Sequence, residues 1–152
     1  MEFTIRKLNK FLLFKLPAAY FTGVRVATIT ENKAVVSVKH RWINQNPFHS
    51  LYYGVQAMAA ELSTGVLVLM KIRKTKQRIS MLVTRQTATF TKKGVGRVRF
   101  TCDEGEKINN ALAETIKTGE GQTVILNSQG LDEQGEVVST FEFEWSIRVK
   151  RK

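Results

Sequence analysis

Glu61 is the only carboxylate between Asn32 and Cys102, a stretch that also carries thirteen lysines and arginines, and it sits inside the apolar run 51–70. Removing a carboxylate from water costs roughly several kcal/mol unless it is paired, hydrogen-bonded or protonated. Glu61 is therefore either satisfied within the fold, by backbone or by a neighbour such as Gln56, or held for acid–base chemistry. The other reactive types are sparse: two histidines and one cysteine in 152 residues. Cys102 with His40 or His49 would make a nucleophile–base pair, but a buried strand thiol is the commoner role. His49 reads as a hydrogen-bonding loop residue or as an acid–base group. These few side chains fall short of the usual structural zinc sites, so neither a metal nor a cofactor is expected. A single cysteine also excludes an internal disulfide framework, which suits a reducing cytoplasm.

The formal charge of +11 is uneven, with +6 over residues 1–50, +9 over 51–100 and −4 over 101–152. A positive field in the middle third favours an anionic partner: nucleic acid, an acidic membrane surface, or a phosphate-bearing molecule such as coenzyme A. A merely solvated basic face is the alternative. For RNA, residues 93–100 match six of the eight positions of the RNA-recognition-motif signature. The two mismatches, Val95 and Arg97, fall where that signature needs stacking aromatics, and residues 34–38 supply none. RNA binding through the basic region 71–99 is thus the weaker reading.

The length suits one domain, 1–152, burying roughly two thirds of its unfolded surface. Residues 1–17 read as an N-terminal amphipathic helix, with Ile5, Leu8, Phe11, Leu12 and Leu16 on one stripe and Pro17 as the stop. Such a stripe packs on its own sheet or on a partner subunit more often than on a membrane surface. The apolar segment 11–14 is interrupted by Lys15 and is too short for a signal peptide, so the mature chain is expected to start at Met1.

Residues 24–30 and 34–38 read as a first hairpin, and 41–50 as a loop. From 51 to about 69 apolar residues cover the whole helical circumference, which predicts a helix buried on nearly all sides. Gln56, Glu61, Ser63 and Thr64 within it argue against a membrane span. Residues 71–78 read as a basic connector, 79–91 and 96–102 as a second hairpin, and 103–119 as a short helix ending at Gly119. Residues 122–128 and 137–149 read as a third antiparallel pair. Six strands and one fully buried helix imply an α+β fold in which a curved antiparallel sheet wraps a central helix.

That order, with Asn46, Tyr52-Tyr53-Gly54 and Glu61 at their spacing, resembles the hotdog-fold thioesterases. The likeness is greatest to the phenylacetyl-CoA-type branch and to allied uncharacterised bacterial proteins. The branch pattern is an Asn, then His-Gly-Gly six residues later opening the helix, then an acid nine residues after the His. Asn46, Gly54 and Glu61 keep their slots, whereas Tyr52 and Tyr53 replace the His and the first Gly. The resemblance implies hydrolysis of an acyl thioester such as acyl-CoA, with Glu61 activating water or attacking the carbonyl. It further implies that Asn46 positions water and that the N–H groups of Tyr53 and Gly54 polarise the carbonyl.

A homodimer or dimer of dimers is implied, with acyl-CoA between subunits. Lys92, Lys93, Arg97, Arg99 and the segment 71–78 would meet its phosphates, and Ser80 and His49 would be lesser contacts. Tyr52 and Tyr53 also read simply as core or interface aromatics. Because the His-Gly slots are altered, a non-catalytic acyl or acyl-CoA binding protein on the same fold is the competing reading.

Overall fold

The computed structural model describes residues 3–151. Met1 and Glu2 of the expected N-terminal helix, and Lys152 at the end of the expected domain, lie outside the described residues. Helix α1 (Ile5–Lys15) is capped by the Thr4 hydroxyl, which accepts the Lys7 N–H, and buries Leu8 and Leu12 of its predicted stripe. Helix α1 stops just before Pro17, with Leu16 as its C-cap, as the sequence predicts. Pro17 then opens a second short helix, α2 (Pro17–Phe21), because a proline at the first helical position has no amide hydrogen to leave unpaired.

Strands β1 (Arg25–Ile29) and β2 (Ala34–Lys39) form the expected first hairpin. A single 3₁₀ turn (Trp42–Asn44) interrupts the loop that follows. Helix α3 (Tyr53–Thr75) runs two turns further than the apolar pattern predicts, so most of the basic connector is helical and stops at Lys76 in the left-handed conformation. It is long and apolar enough to cross a membrane, but most of it is enclosed by this fold.

Strands β3 (Ile79–Phe90) and β4 (Arg97–Cys102) follow, then α4 (Gly105–Thr118), β5 (Gln122–Leu131) and β6 (Val137–Val149). The six strands form one sheet in the order β1-β2-β4-β5-β6-β3, with every pairing antiparallel. The expected third pair is present as β5–β6. The expected second hairpin is not: β3 crosses to the far side of β6, and β4 inserts between β2 and β5. Both strands alternate as read, but thirteen-residue β6 needs partners on both sides, and which strand supplies the second is a non-local matter.

The sheet curves around α3. Phe100 and Phe143 are its largest fully buried side chains, and burying such a ring stabilises the fold by roughly 1.5–3 kcal/mol. Gly130 makes room for the first of them, since a Cβ there would lie 2.5 Å from the Phe100 ring. The aromatic of the RNA-binding signature therefore points into the core, not onto an open stacking surface.

The two edges of the sheet are treated differently. Along β1, the Asn9 side chain of α1 donates to the Val26 carbonyl (3.0 Å) and accepts the Val26 N–H (2.9 Å), closing that edge with a side-chain amide. Along β3, no described residue pairs the outer edge, and the twelve-residue strand is largely exposed, with Leu82 on its surface.

Candidate functional site

Four polar side chains interrupt the apolar stretch 54–70 of α3, and the sheet satisfies three of them. The Gln56 carboxamide accepts the Ser139 hydroxyl (2.7 Å), Ser63 shares a hydrogen bond with Ser128 (2.7 Å), and Thr64 accepts the Trp145 indole N–H (2.9 Å). These bonds latch the helix to β5 and β6. Gln56 is thus occupied with Ser139 and does not serve Glu61 as the sequence reading allowed.

Among the described residues the Glu61 carboxylate has no hydrogen-bond or ion-pair partner. Burial alone pushes its pKa up to about 7, because nothing nearby compensates the charged form. Such a group gives and takes protons near neutrality.

Glu61 opens into a cavity of about 240 Å³. One wall is the α3 stripe of Glu61, Leu62, Gly65, Val66 and Leu69, and the facing wall is α1, through Leu8, Phe11 and Leu12, with its C-cap Leu16. Val26 of β1, Met81 of β3 and the Trp145 ring complete it. Residues from both edge strands line it, so the cavity lies at the seam where the curved sheet fails to meet itself. The sequence reading missed these wall residues. The α1 stripe was visible in the pattern, but its destination was not.

Several of the remaining candidates gather at the N-terminus of α3, around a second, more open cavity of about 460 Å³ lined by Asn46, Tyr52, Tyr53, Phe90, Lys92 and Lys93, among others. Asn46 organises its own loop: Oδ1 accepts the N–H groups of Phe48 and Ser50, and Nδ2 donates to the Ser50 hydroxyl (2.9 Å). His49 is exposed in the same loop, with a positive φ of 58°. Tyr52 caps the helix, and its carbonyl accepts the N–H groups of Val55 and Gln56. The N–H groups of Tyr53 and Gly54 have no acceptor among the described residues, as expected of a first helical turn. Both tyrosine rings are exposed; they pack on each other, and Tyr53 meets Phe90 edge-on.

The basic candidates do not converge. Lys92 is paired with Asp132 (2.6 Å) and Glu136 (2.5 Å). Lys93 lies over the Phe48 ring at the rim of the open cavity. Arg97 donates to Ser37 (2.7 Å), Arg99 is exposed on β4, and Ser80 is exposed on the edge strand β3, donating to the Arg148 carbonyl. Cys102 is buried, and burial pushes its thiol up to about 11, which removes the thiolate a Cys–His pair would need.

Along α3, Tyr53 and Glu61 are eight residues apart, about 12 Å at 1.5 Å per residue, and they face different cavities. One copy of the chain therefore gathers Asn46, Tyr52, Tyr53, Gly54 and Lys93 in one place and leaves Glu61 in another.

The family model described as a domain of unknown function, DUF4442, matches residues 6–147. Among solved structures, a Pseudomonas aeruginosa protein of unknown function, described as a probable thioesterase, is 24% identical and superimposes with a TM-score of 0.83 over 99% of each chain. A Chlorobaculum tepidum protein of unknown function is 17% identical with a TM-score of 0.83, over 95% of this chain and 94% of its own. A thioesterase from Haemophilus influenzae is 13% identical with a TM-score of 0.75, over 98% of this chain and 93% of its own. No curated protein matches the chain. The likeness establishes the fold: an α+β hotdog of the kind found in thioesterase-like proteins.

Proposed function

The chain belongs to the DUF4442 family, and we propose that it hydrolyses an acyl thioester, acyl-CoA being the substrate class, with Glu61 as general base. The observation that carries this reading is the contrast within 54–70 of α3: three of the four polar side chains there are satisfied by the sheet, and Glu61 faces a cavity with no compensating partner among the described residues. In the reaction, the Glu61 carboxylate takes a proton from water as the water oxygen attacks the thioester carbonyl. The N–H groups of Tyr53 and Gly54 accommodate the resulting oxyanion. As the C–S bond breaks, Glu61 returns the proton to the departing thiolate, leaving a carboxylic acid and free thiol.

Because Glu61 and the Tyr53 N–H lie about 12 Å apart along one helix, the complete site needs Glu61 of one copy and the α3 N-terminus of another. The open edge of β3 supports a homodimer built by extending the sheet.

The test is release of free thiol from a panel of acyl-CoAs by the wild type and by Glu61→Gln. Turnover by the wild type and its loss in the variant is the expected result. No turnover by either, with acyl-CoA still bound, establishes the non-catalytic binding reading instead. That second reading is favoured by one feature, the pair of tyrosine rings standing at the helix start where the resembled phenylacetyl-CoA-type branch has His and Gly.

A further inference from the structure

We propose that the cavity behind Glu61 holds the acyl chain, that it takes an unsubstituted chain of roughly eight to ten carbons, and that α1 sets this limit. The inference rests on the thioesterase reading and names its substrate.

The chemistry of the walls defines the occupant. Among the described residues, Lys15, at the exposed last turn of α1, is the only ionisable side chain lining the cavity apart from Glu61, and the remaining walls are aliphatic or aromatic. A hydroxyl or carboxyl placed midway along the chain would lose its hydration with no partner to replace it, so a plain hydrocarbon fits best. Size follows from volume: a cavity of about 150 Å³ accommodates the six carbons of benzene, so 240 Å³ scales to roughly eight to ten.

The geometry places the chain against the carboxylate. A Cβ on Gly65 would lie 3.1 Å from the Trp145 ring and 3.3 Å from Glu61 Oε1, so the bare backbone there keeps open the space between ring and acid. The opposite wall is fixed in place: α1 is capped by Thr4, bonded twice through Asn9 to the edge of β1, and anchored by buried Leu8 and Leu12. Half-buried Phe11 of α1 and exposed Leu16, its C-cap, are the apolar residues of this wall that lie outside the buried core, so they are the ones whose size can change without emptying it.

Two readouts test this, both with the full chain. One is thiol release from saturated acyl-CoAs between acetyl and palmitoyl. The other is calorimetric binding of the matching S-alkyl-CoA thioethers, which cannot be hydrolysed. Both should peak at about eight to ten carbons, Phe11→Ala should move the peak about two to four carbons longer, and Leu16→Trp should shorten it by about two. Leu16→Trp sits at an exposed position, so it keeps the test open if Phe11→Ala fails to fold. Length profiles unchanged in the folded variants overturn the inference even if hydrolysis is observed. Thioether binding that peaks and shifts as expected, without hydrolysis at any length, upholds the chain site and removes the thioesterase reading. Absence of both removes the two together.

Discussion

About two turns of α3 separate its N-terminus from Glu61, and the two regions share almost no physical character. At the N-terminus the surface is open and aromatic, two backbone N–H groups are unclaimed, and Lys93 stands nearby. Around Glu61 the surroundings are apolar, and no described residue offsets the charge of the carboxylate. The first region is equipped to hold a polar, anionic ligand, and the second to move a proton beside an apolar one. A helix cannot be shortened to join them. Under the proposed function they meet only across two copies of the chain, with coenzyme A at one and the acyl group at the other.

The sharpest way to break this contrast is Glu61→Gln. Thiol release should fall by about 10² to 10⁴-fold, the usual contribution of a general base, while thioether binding stays within about twofold. Equal loss of binding would make the carboxylate a ligand-holding group and erase the distinction between the regions.

The same residue should leave a signature in stability. The Glu61 carboxyl binds its proton more tightly in the fold, where its pKa is about 7, than in the unfolded chain. The folded state then holds more protons between the ordinary glutamate value and pH 7, so stability falls as pH rises through that window. The loss should be on the order of 2–4 kcal/mol, complete above neutrality. Urea unfolding at pH 5 and pH 8 measures it, and Glu61→Gln should abolish that component. A wild type whose stability does not fall between these values would mean the carboxylate is compensated after all.

At the other region, Tyr52→His combined with Tyr53→Gly introduces the His-Gly pair of the thioesterase branch that the sequence resembles and removes the rings above the helix start. Thiol release should rise roughly tenfold if those rings hinder the thioester's approach. An unchanged rate would show that the backbone groups act unhindered. Smallest of all should be the separation of two adjacent lysines. Lys93→Ala should weaken acyl-CoA binding about threefold to tenfold in a salt-sensitive way. Lys92→Ala, which releases Asp132 and Glu136, should lower Tm and leave affinity nearly unchanged. The reverse result would transfer the phosphate contact to Lys92.

Much of this was legible in residue order. The all-round apolar pattern announced a buried central helix, the alternation in 137–149 announced a half-buried strand, and the solitary acid of the middle third marked the residue on which the site reading rests. The failures share a cause. The second hairpin was inferred from two neighbouring alternating segments, yet β3 and β4 never pair, because the vacant side of β6 is a better partner for β3 than its sequence neighbour. Lys92 read as a phosphate contact, and the charges that engage it lie forty and forty-four residues away. Gln56 read as a possible partner for Glu61, five positions away on the same helix; Ser139, eighty-three positions on, takes it instead.

By itself the sequence determined the elements, the apolar enclosure of α3 and the isolation of Glu61, since periodicity and the cost of burying charge act on neighbours along the chain. Only the tertiary structure decided that α1 closes one edge of the sheet and walls the cavity, that β3 is left with an open edge, and that Glu61 and the α3 N-terminus face different spaces. Those are outcomes of competition among distant partners for the same surfaces, and no local pattern records which of them wins.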